Sequence, residues 1–203
     1  MNIALFDFDG TITTRALFAD FMRYAVSQPR RLAGNILFIP LILGYKMGLV
    51  SGNRIRARVV RFGFRGVPVK VVSAKARTFC TEVVPGSIRP MALARIRWHQ
   101  ERGDEVVVVS GALDIYLEYW CRDQGLELIC SRLEERDGVL TGRYREAQCV
   151  GEEKRRRINE RYDMELFEHV YAYGDTRDDE EMLELAHTRF FRWKLVDGTA
   201  SYG

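Results

Sequence analysis

Residues 21–81 contain neither aspartate nor glutamate, yet carry twelve lysines and arginines. The whole chain is only three charges positive, so the remainder is net negative by about nine. Such segregation points this segment at something anionic rather than at a cation. Cysteine and histidine are also scarce. Cys80, Cys121, Cys130 and Cys149 form no CxxC pair and have no histidine at ligand spacing, and His99, His169 and His187 are scattered. A zinc site is not expected, and the thiols read as buried and reduced, as in a cytoplasmic protein. No leader peptide is expected either, because Asp7 and Asp9 interrupt the place where its apolar stretch would lie. Long apolar runs are absent as well. The most apolar stretch, 32–50, is broken by Asn35, Pro40, Lys46 and three glycines. A bilayer span needs about 20 mostly apolar residues, so this stretch does not qualify. It reads either as a core helix pair of a small subdomain or as an element lying in a membrane interface.

What is present is an α/β pattern. The 203 residues suffice for one sizeable core with a small inserted subdomain. Ile3-Ala4-Leu5-Phe6 reads as a buried strand that ends in Asp7-Phe8-Asp9-Gly10-Thr11. On an extended backbone residues i and i+2 share a side, so Asp7 and Asp9 stand together at a strand end. Helical patterning follows over 15–28, then a basic helical stretch over 53–84, broken near 63–68. A helix over 88–102 precedes the β-branched run 105–109, which leads into Ser110-Gly111. A helix over 113–124 is closed by Gly125, and a strand covers 126–130. Asp137-Gly138 between β-prone arms signals a hairpin. A helix over 152–162 carries Lys154. The strand 169–173 runs into Gly174-Asp175-Thr176-Arg177-Asp178-Asp179, followed by a helix over 179–186. A last strand is expected over 190–193, with a tail after Val196.

This alternation predicts a Rossmann-like open parallel sheet, with ligands bound beyond the strands' C-terminal ends. Each motif has a plain reading by itself. Asp-x-Asp-Gly and Ser110-Gly111 can be turns, Lys154 sits in a charge run, and Asp175 and Asp179 can cap a helix. The ordered set of acid pair, hydroxyl, lysine and second acid cluster, mostly at strand ends, is what those readings leave unexplained.

The set resembles the haloacid dehalogenase superfamily of phosphatases, whose four motifs appear in order as DFDGT at 7–11, SG at 110–111, Lys154 and GDTRDD at 174–179. The insertion between the first two motifs and the DGVLTGR hairpin resemble the phosphoserine phosphatase subclass, which implies a core of 1–14 and 86–203 and a helical cap of 15–85. The resemblance implies that Asp7 is a nucleophile forming a phospho-aspartate and that Asp9 is the general acid and base. It implies Mg2+ on Asp7, the Asp9 carbonyl and Asp175, supported by Asp178 and Asp179. It also implies that Phe8, Gly10, Thr11, Ser110, Gly111 and Lys154 surround the phosphoryl group, with Ser110 and Lys154 catalytic.

Phosphoserine phosphatase holds its substrate's amine with a cap glutamate. Here no acid lies within 21–81 and Asp20 is the nearby candidate for that role, which disfavours a zwitterionic substrate. The order RYAVSQPRR, ILFIPLILGYKMGLVSG, RFGFRG and CVGEEK is similar to the bacterial phosphatidylglycerophosphatase C branch. That similarity implies an anionic lipid phosphate such as phosphatidylglycerophosphate as substrate, and a peripheral place at the inner face of the membrane. A phosphatase of small soluble phosphomonoesters is the alternative. A nucleic-acid-binding or nucleic-acid-processing role ranks third, because the basic segment holds no recognisable nucleic-acid motif.

Overall fold

The computed structural model describes residues 1–196, apart from the side chain of Lys46. The expected tail after Val196 lies outside the described residues. In chain order the elements are β1 (Ile3–Phe6), α1 (Phe18–Ala25), α2 (Gln28–Leu37), α3 (Ile39–Lys46), α4 (Gly52–Phe64), β2 (Val67–Pro68), α5 (Val69–Glu82), α6 (Pro90–Glu101), β3 (Glu105–Leu113), α7 (Asp114–Gln124), β4 (Glu127–Ser131), β5 (Leu133–Arg136), β6 (Val139–Tyr144), α8 (Glu152–Arg161), β7 (Val170–Gly174), α9 (Glu180–Leu183), β8 (Thr188–Phe191) and β9 (Lys194–Val196).

Six strands form one sheet in the order β4-β3-β1-β7-β8-β9, parallel except for β9 at its edge. The expected parallel α/β architecture is therefore present. The period of two sorts the side chains between the faces. Ala4, Phe6, Val106 and Val108 join one apolar cluster, whereas Ile3, Leu5, Val107 and Val109 join another. Strands buried on both faces need continuous apolar runs, which is what IALF and VVVV supply. Phe6 pairs with Val108 on one side and Tyr173 on the other, so Asp7 follows level with Val109 and Gly174; β3 does not end there as the sequence suggests but runs on through Ser110 to Leu113. Parallel pairing thus delivers Asp7, Ser110 and Asp175 to one sheet edge.

The insertion after β1 shares the larger cluster. Phe21 of α1, Phe79 of α5 and Tyr116 of α7 pack with ring centroids 4.8–5.5 Å apart. The Asp137-Gly138 turn has positive φ at both residues, as a tight hairpin requires, and joins β5 to β6. The short β2 adds to this hairpin as a second, three-stranded sheet, which no periodicity in two residues could announce.

Two expectations need correction. The single helix over 15–28 is two helices, because Val26 is extended and Pro29 lies in the first turn of α2. Proline lacks the N–H needed to continue α1 but fits a helix start. Nor do 32–50 form a core helix pair. Pro40 opens α3, and the apolar side chains of this stretch face outward: Ile36 is 74% exposed, Met47 71% and Leu49 71%.

A buried polar relay braces the sheet. His99 on α6 is fully buried, with Nδ1 2.8 Å from Asp104 and Nε2 2.9 Å from the Tyr173 hydroxyl. Burial pushes the ring below its ordinary value, against the pull of Asp104. The unfolded chain therefore takes up this proton at a higher pH than the folded one. Its stabilising contribution is full above about pH 6.5 and declines below it. The acids raised by burial gain stability over the same range, so the test is a difference: the gap in thermal midpoint between wild type and His99→Gln should narrow as pH drops from about 7 to 5.5, and an unchanged gap would rule out the relay.

Candidate active site

After Phe6 the chain turns sharply. Asp7 donates its N–H to the Tyr173 carbonyl, which continues the ladder to β7 by one more bond. Gly10 then adopts φ +91°, a region that disfavours other residues. A side chain there would also collide with Asp175, whose Oδ2 lies 2.2 Å from the position of a Cβ. The turn is braced by Thr13, whose hydroxyl accepts from Gly10 N and reaches the Phe8 carbonyl, each at 3.1 Å.

Lys154 is the hub. Projecting from the first turn of α8, it is 1% exposed and donates to Asp7 Oδ1 at 2.7 Å and Asp179 Oδ1 at 2.5 Å. The other oxygen of Asp179 accepts from the backbone N–H groups of Asp175 and Thr176 at 3.0 and 2.9 Å. Both oxygens of Asp179 are thus engaged, and its work is to anchor Lys154 and shape the Asp175 loop. Thr11 turns its hydroxyl to Asp175 Oδ1 at 3.3 Å. Asp9 Oδ1 accepts from Leu17 N at 2.9 Å, which aims its carboxyl at the entrance of α1.

The expected residues converge on a cleft of about 410 Å³. Asp7, Asp9, Gly10, Ser110, Gly111, Lys154, Asp175, Asp178 and Asp179 all line it. Phe8 and Thr11 are placed differently. The Phe8 ring packs on Trp120 in the core at 5.1 Å, leaving only its backbone for the site. Thr11 is buried against Asp175. Asp178 is exposed at the mouth, and its carbonyl accepts from Gly151 N.

Three arginines complete the site. Arg89 donates to the Gly10 carbonyl at 3.2 Å and the Thr13 carbonyl at 3.1 Å, fixing the turn. Arg192 donates to the Asp175 carbonyl at 3.1 Å. No motif marks either one, since they act on backbone. Arg56 of α4 lines the cleft with its guanidinium over the Phe18 ring, and Nη1 is 3.2 Å from where a Gly111 Cβ would sit. Arg54, Arg56, Arg58 and Arg61 all lie on α4, and of the four the helix turns only Arg56 into this cleft.

Around Lys154 three acids, Asp7, Asp175 and Asp179, crowd together. Burial, then the charge of Asp179, pushes Asp7 well above its ordinary range, against the pull of Lys154. Burial likewise raises Asp9, to about 6, although Leu17 N, Arg56 and Lys154 oppose it. Asp175 is raised by burial and by Asp179. Burial would raise Asp179 also, but Lys154 and two backbone N–H groups outweigh it and hold it low. Burial works to discharge Lys154, yet Asp179 and Asp7 keep it charged. Carboxylate oxygens of Asp7, Asp175 and Asp179 lie within 4.8 Å of one another. All-oxygen donors with excess negative charge suit a hard divalent cation. Lys154 and Thr11 each engage one oxygen, of Asp7 and of Asp175, and leave the other for a ligand, whereas Lys154 and the loop N–H groups claim both oxygens of Asp179.

Fold and sequence agree on the class. The sequence pattern of the haloacid dehalogenase-like hydrolases matches residues 4–184, and the chain belongs to that family. Protein CicA of Caulobacter vibrioides is 30% identical over 194 residues, covering 94% of this chain and 85% of that one. Among solved structures, a protein of unknown function from Bordetella pertussis Tohama I superposes with a TM-score of 0.79 at 23% identity, covering 94% of this chain and 89% of that one. A phosphoserine phosphatase carrying a phospho-aspartyl intermediate analogue superposes with a TM-score of 0.64 at 21% identity, covering 93% of this chain and 85% of the other. At these identities the structures speak for a shared fold.

Proposed function

We infer that the protein is a magnesium-dependent phosphomonoester hydrolase working through a phospho-aspartate on Asp7. The observation that carries this reading is the buried Lys154 clasped between Asp7 and Asp179, beside a second acid raised to about 6. Lys154 keeps one Asp7 oxygen fixed and offers positive charge to a phosphoryl group at the same place. An Asp7 carboxylate oxygen attacks phosphorus, and the bond from phosphorus to the leaving oxygen breaks. Asp9, partly protonated near neutral pH, hands its proton to that leaving oxygen. It then takes a proton from water, whose oxygen attacks phosphorus and displaces the Asp7 oxygen, releasing inorganic phosphate. Ser110 and backbone N–H groups around Gly10 and Gly111 bind the remaining phosphoryl oxygens. Asp7, Asp175 and the Asp9 carbonyl would hold Mg2+, with Asp178 and Asp179 in support; when bound, the ion offsets the repulsion between carboxylate and phosphate.

In this reading residues 15–85 form a cap over a core of 1–14 and 86–203, and Arg56 reaches from the cap to an anionic part of the leaving group. Of the two acids within 15–85, Glu82 accepts from the Tyr24 hydroxyl at 3.2 Å, and Asp20 is taken by Arg15 at 3.0 Å and by Arg23. It is therefore not free for a substrate ammonium. An anionic lipid phosphate such as phosphatidylglycerophosphate, met from the cytoplasmic side of a membrane, fits this chemistry better than an amino-acid phosphate. Small soluble phosphomonoesters are the second reading, favoured by the confined cleft. Hydrolysis should be tested with and without Mg2+ on phosphatidylglycerophosphate and a panel of small phosphates. Release of phosphate that EDTA abolishes is expected. Turnover of small phosphates alone would select the second reading, and no turnover of any phosphomonoester would overturn the first inference.

A further inference from the structure

We propose that the outer face of the helical insertion, formed by α2, α3 and the outward side of α4, is a docking surface for an anionic lipid bilayer. The argument starts from α4, whose two sides do different work. Val60, Gly63 and Phe64 are buried, and Arg56 on that side reaches the catalytic cleft. Arg58, Arg61, Phe62 and Arg65 recur at i, i+3, i+4 and i+7, so they share the opposite side. There they line a groove of about 750 Å³ whose remaining walls are mostly apolar side chains of α2 and α3, with Arg30 at its rim.

The groove is charged in one sign only. Arg58, Arg61 and Arg65 make no ion pair among the described residues, and Glu134, which shares a smaller neighbouring cleft with Arg61 and Arg65, is taken by Arg136. Arg30 spends its guanidinium on the carbonyls of Gly63 and Arg65, which fixes α2 against α4 without neutralising anything. Beside these charges the hairpin of α2 and α3 presents Leu32, Ile36, Leu37, Ile39, Ile42 and Leu43, each about half exposed or more. Guanidinium groups that lack carboxylates, next to side chains that lack a core, match a surface with anionic headgroups above and acyl chains below. No helix among the described residues is long and apolar enough to cross a membrane, so the hairpin would lie in the interface. A second copy of the chain fits poorly. A two-fold contact through this face would set one acid-free arginine patch against its twin.

The proposal takes only its choice of partner from the lipid-phosphate reading. Binding and hydrolysis are therefore measured separately. The wild-type protein is floated with vesicles of phosphatidylcholine alone and with vesicles containing roughly one-third phosphatidylglycerol. Hydrolysis of p-nitrophenyl phosphate is followed in parallel. Flotation is expected with the anionic vesicles only, weakening as salt rises. The triple variant Arg58→Gln, Arg61→Gln, Arg65→Gln should lose about a hundredfold in vesicle affinity. A second variant, Ile36→Ser with Leu43→Ser, should also lose flotation, while both variants keep wild-type hydrolysis of the soluble ester. The proposal is overturned by no flotation, by equal flotation with neutral vesicles, by triple-variant affinity equal to wild type, or by a DNA gel shift without vesicle binding. A concentration-dependent dimer that these substitutions abolish would assign the face to a second copy instead. Flotation without any hydrolysis would leave the docking surface standing and sink the phosphatase reading alone.

Discussion

Asp7→Asn should lower phosphomonoester hydrolysis by roughly a thousandfold or more while leaving the fold intact. Asparagine keeps the shape of the side chain but offers no carboxylate oxygen for attack on phosphorus. Stability should move the other way from activity. Asp7 is buried, and its pKa is raised above the unfolded value. For an acid raised on folding, ionisation costs stability at every pH above its unfolded value, so removing the charge relieves a penalty. Lys154 keeps Asp179 as its remaining partner. An unchanged or higher thermal midpoint in the variant, together with lost turnover, is the expected pair of results. Activity retained within about tenfold would exclude Asp7 as nucleophile.

Lys154→Met should have the largest effect on stability. Methionine fills much of the same volume but leaves Asp179, and with it Asp7, without a countercharge inside the protein. Removing one partner of a buried pair costs about 3 to 5 kcal/mol, because the remaining charge stays desolvated. Urea denaturation should show that loss, and phosphatase activity should vanish. The double variant Lys154→Met, Asp179→Asn separates the causes. It removes the orphaned charge, so a good part of the stability should return. Activity should not return, because nothing then faces the phosphoryl oxygens in place of Lys154. Recovery of activity in the double variant, or no stability cost in the single one, would remove Lys154 from its central place.

Much of this architecture was legible in one dimension. Apolar runs marked β1, β3 and β7, since strands buried on both faces need them, although β3 runs on past its valines through the buried Ser110 to Leu113. Gly125 closes α7 in the left-handed conformation, and Asp137-Gly138 turns the hairpin. These are local signals of local geometry. Less legible was the stretch 32–50. Apolar composition says that side chains avoid water but not what covers them, and here nothing in the described chain covers most of them. Arg89 and Arg192 were invisible because they act on backbone carbonyls, which any arginine in the right place can do. Thr11 stands in the DFDGT motif yet turns to Asp175 rather than into the cleft, a choice made by the partner that the fold brings beside it.

By itself the sequence determined the chemistry: two carboxylates at a strand end, a hydroxyl, a lysine and a second acid cluster, each carried by a periodicity that names its element. It also determined the acid-free, basic character of residues 21–81, since charge depends only on residue type. The tertiary structure alone decided which charge meets which. Helix rotation chose Arg56 for the cleft and sent Arg58, Arg61 and Arg65 to the outer groove, although the four lie within ten residues. Parallel pairing set Asp7 beside Ser110 on β3 and the end of β7, and burial made Lys154 the common partner of Asp7 and Asp179. The physical reason is the same in each case. Residue type fixes what a side chain can do, but distance and dielectric, which exist only in the folded chain, fix what it does.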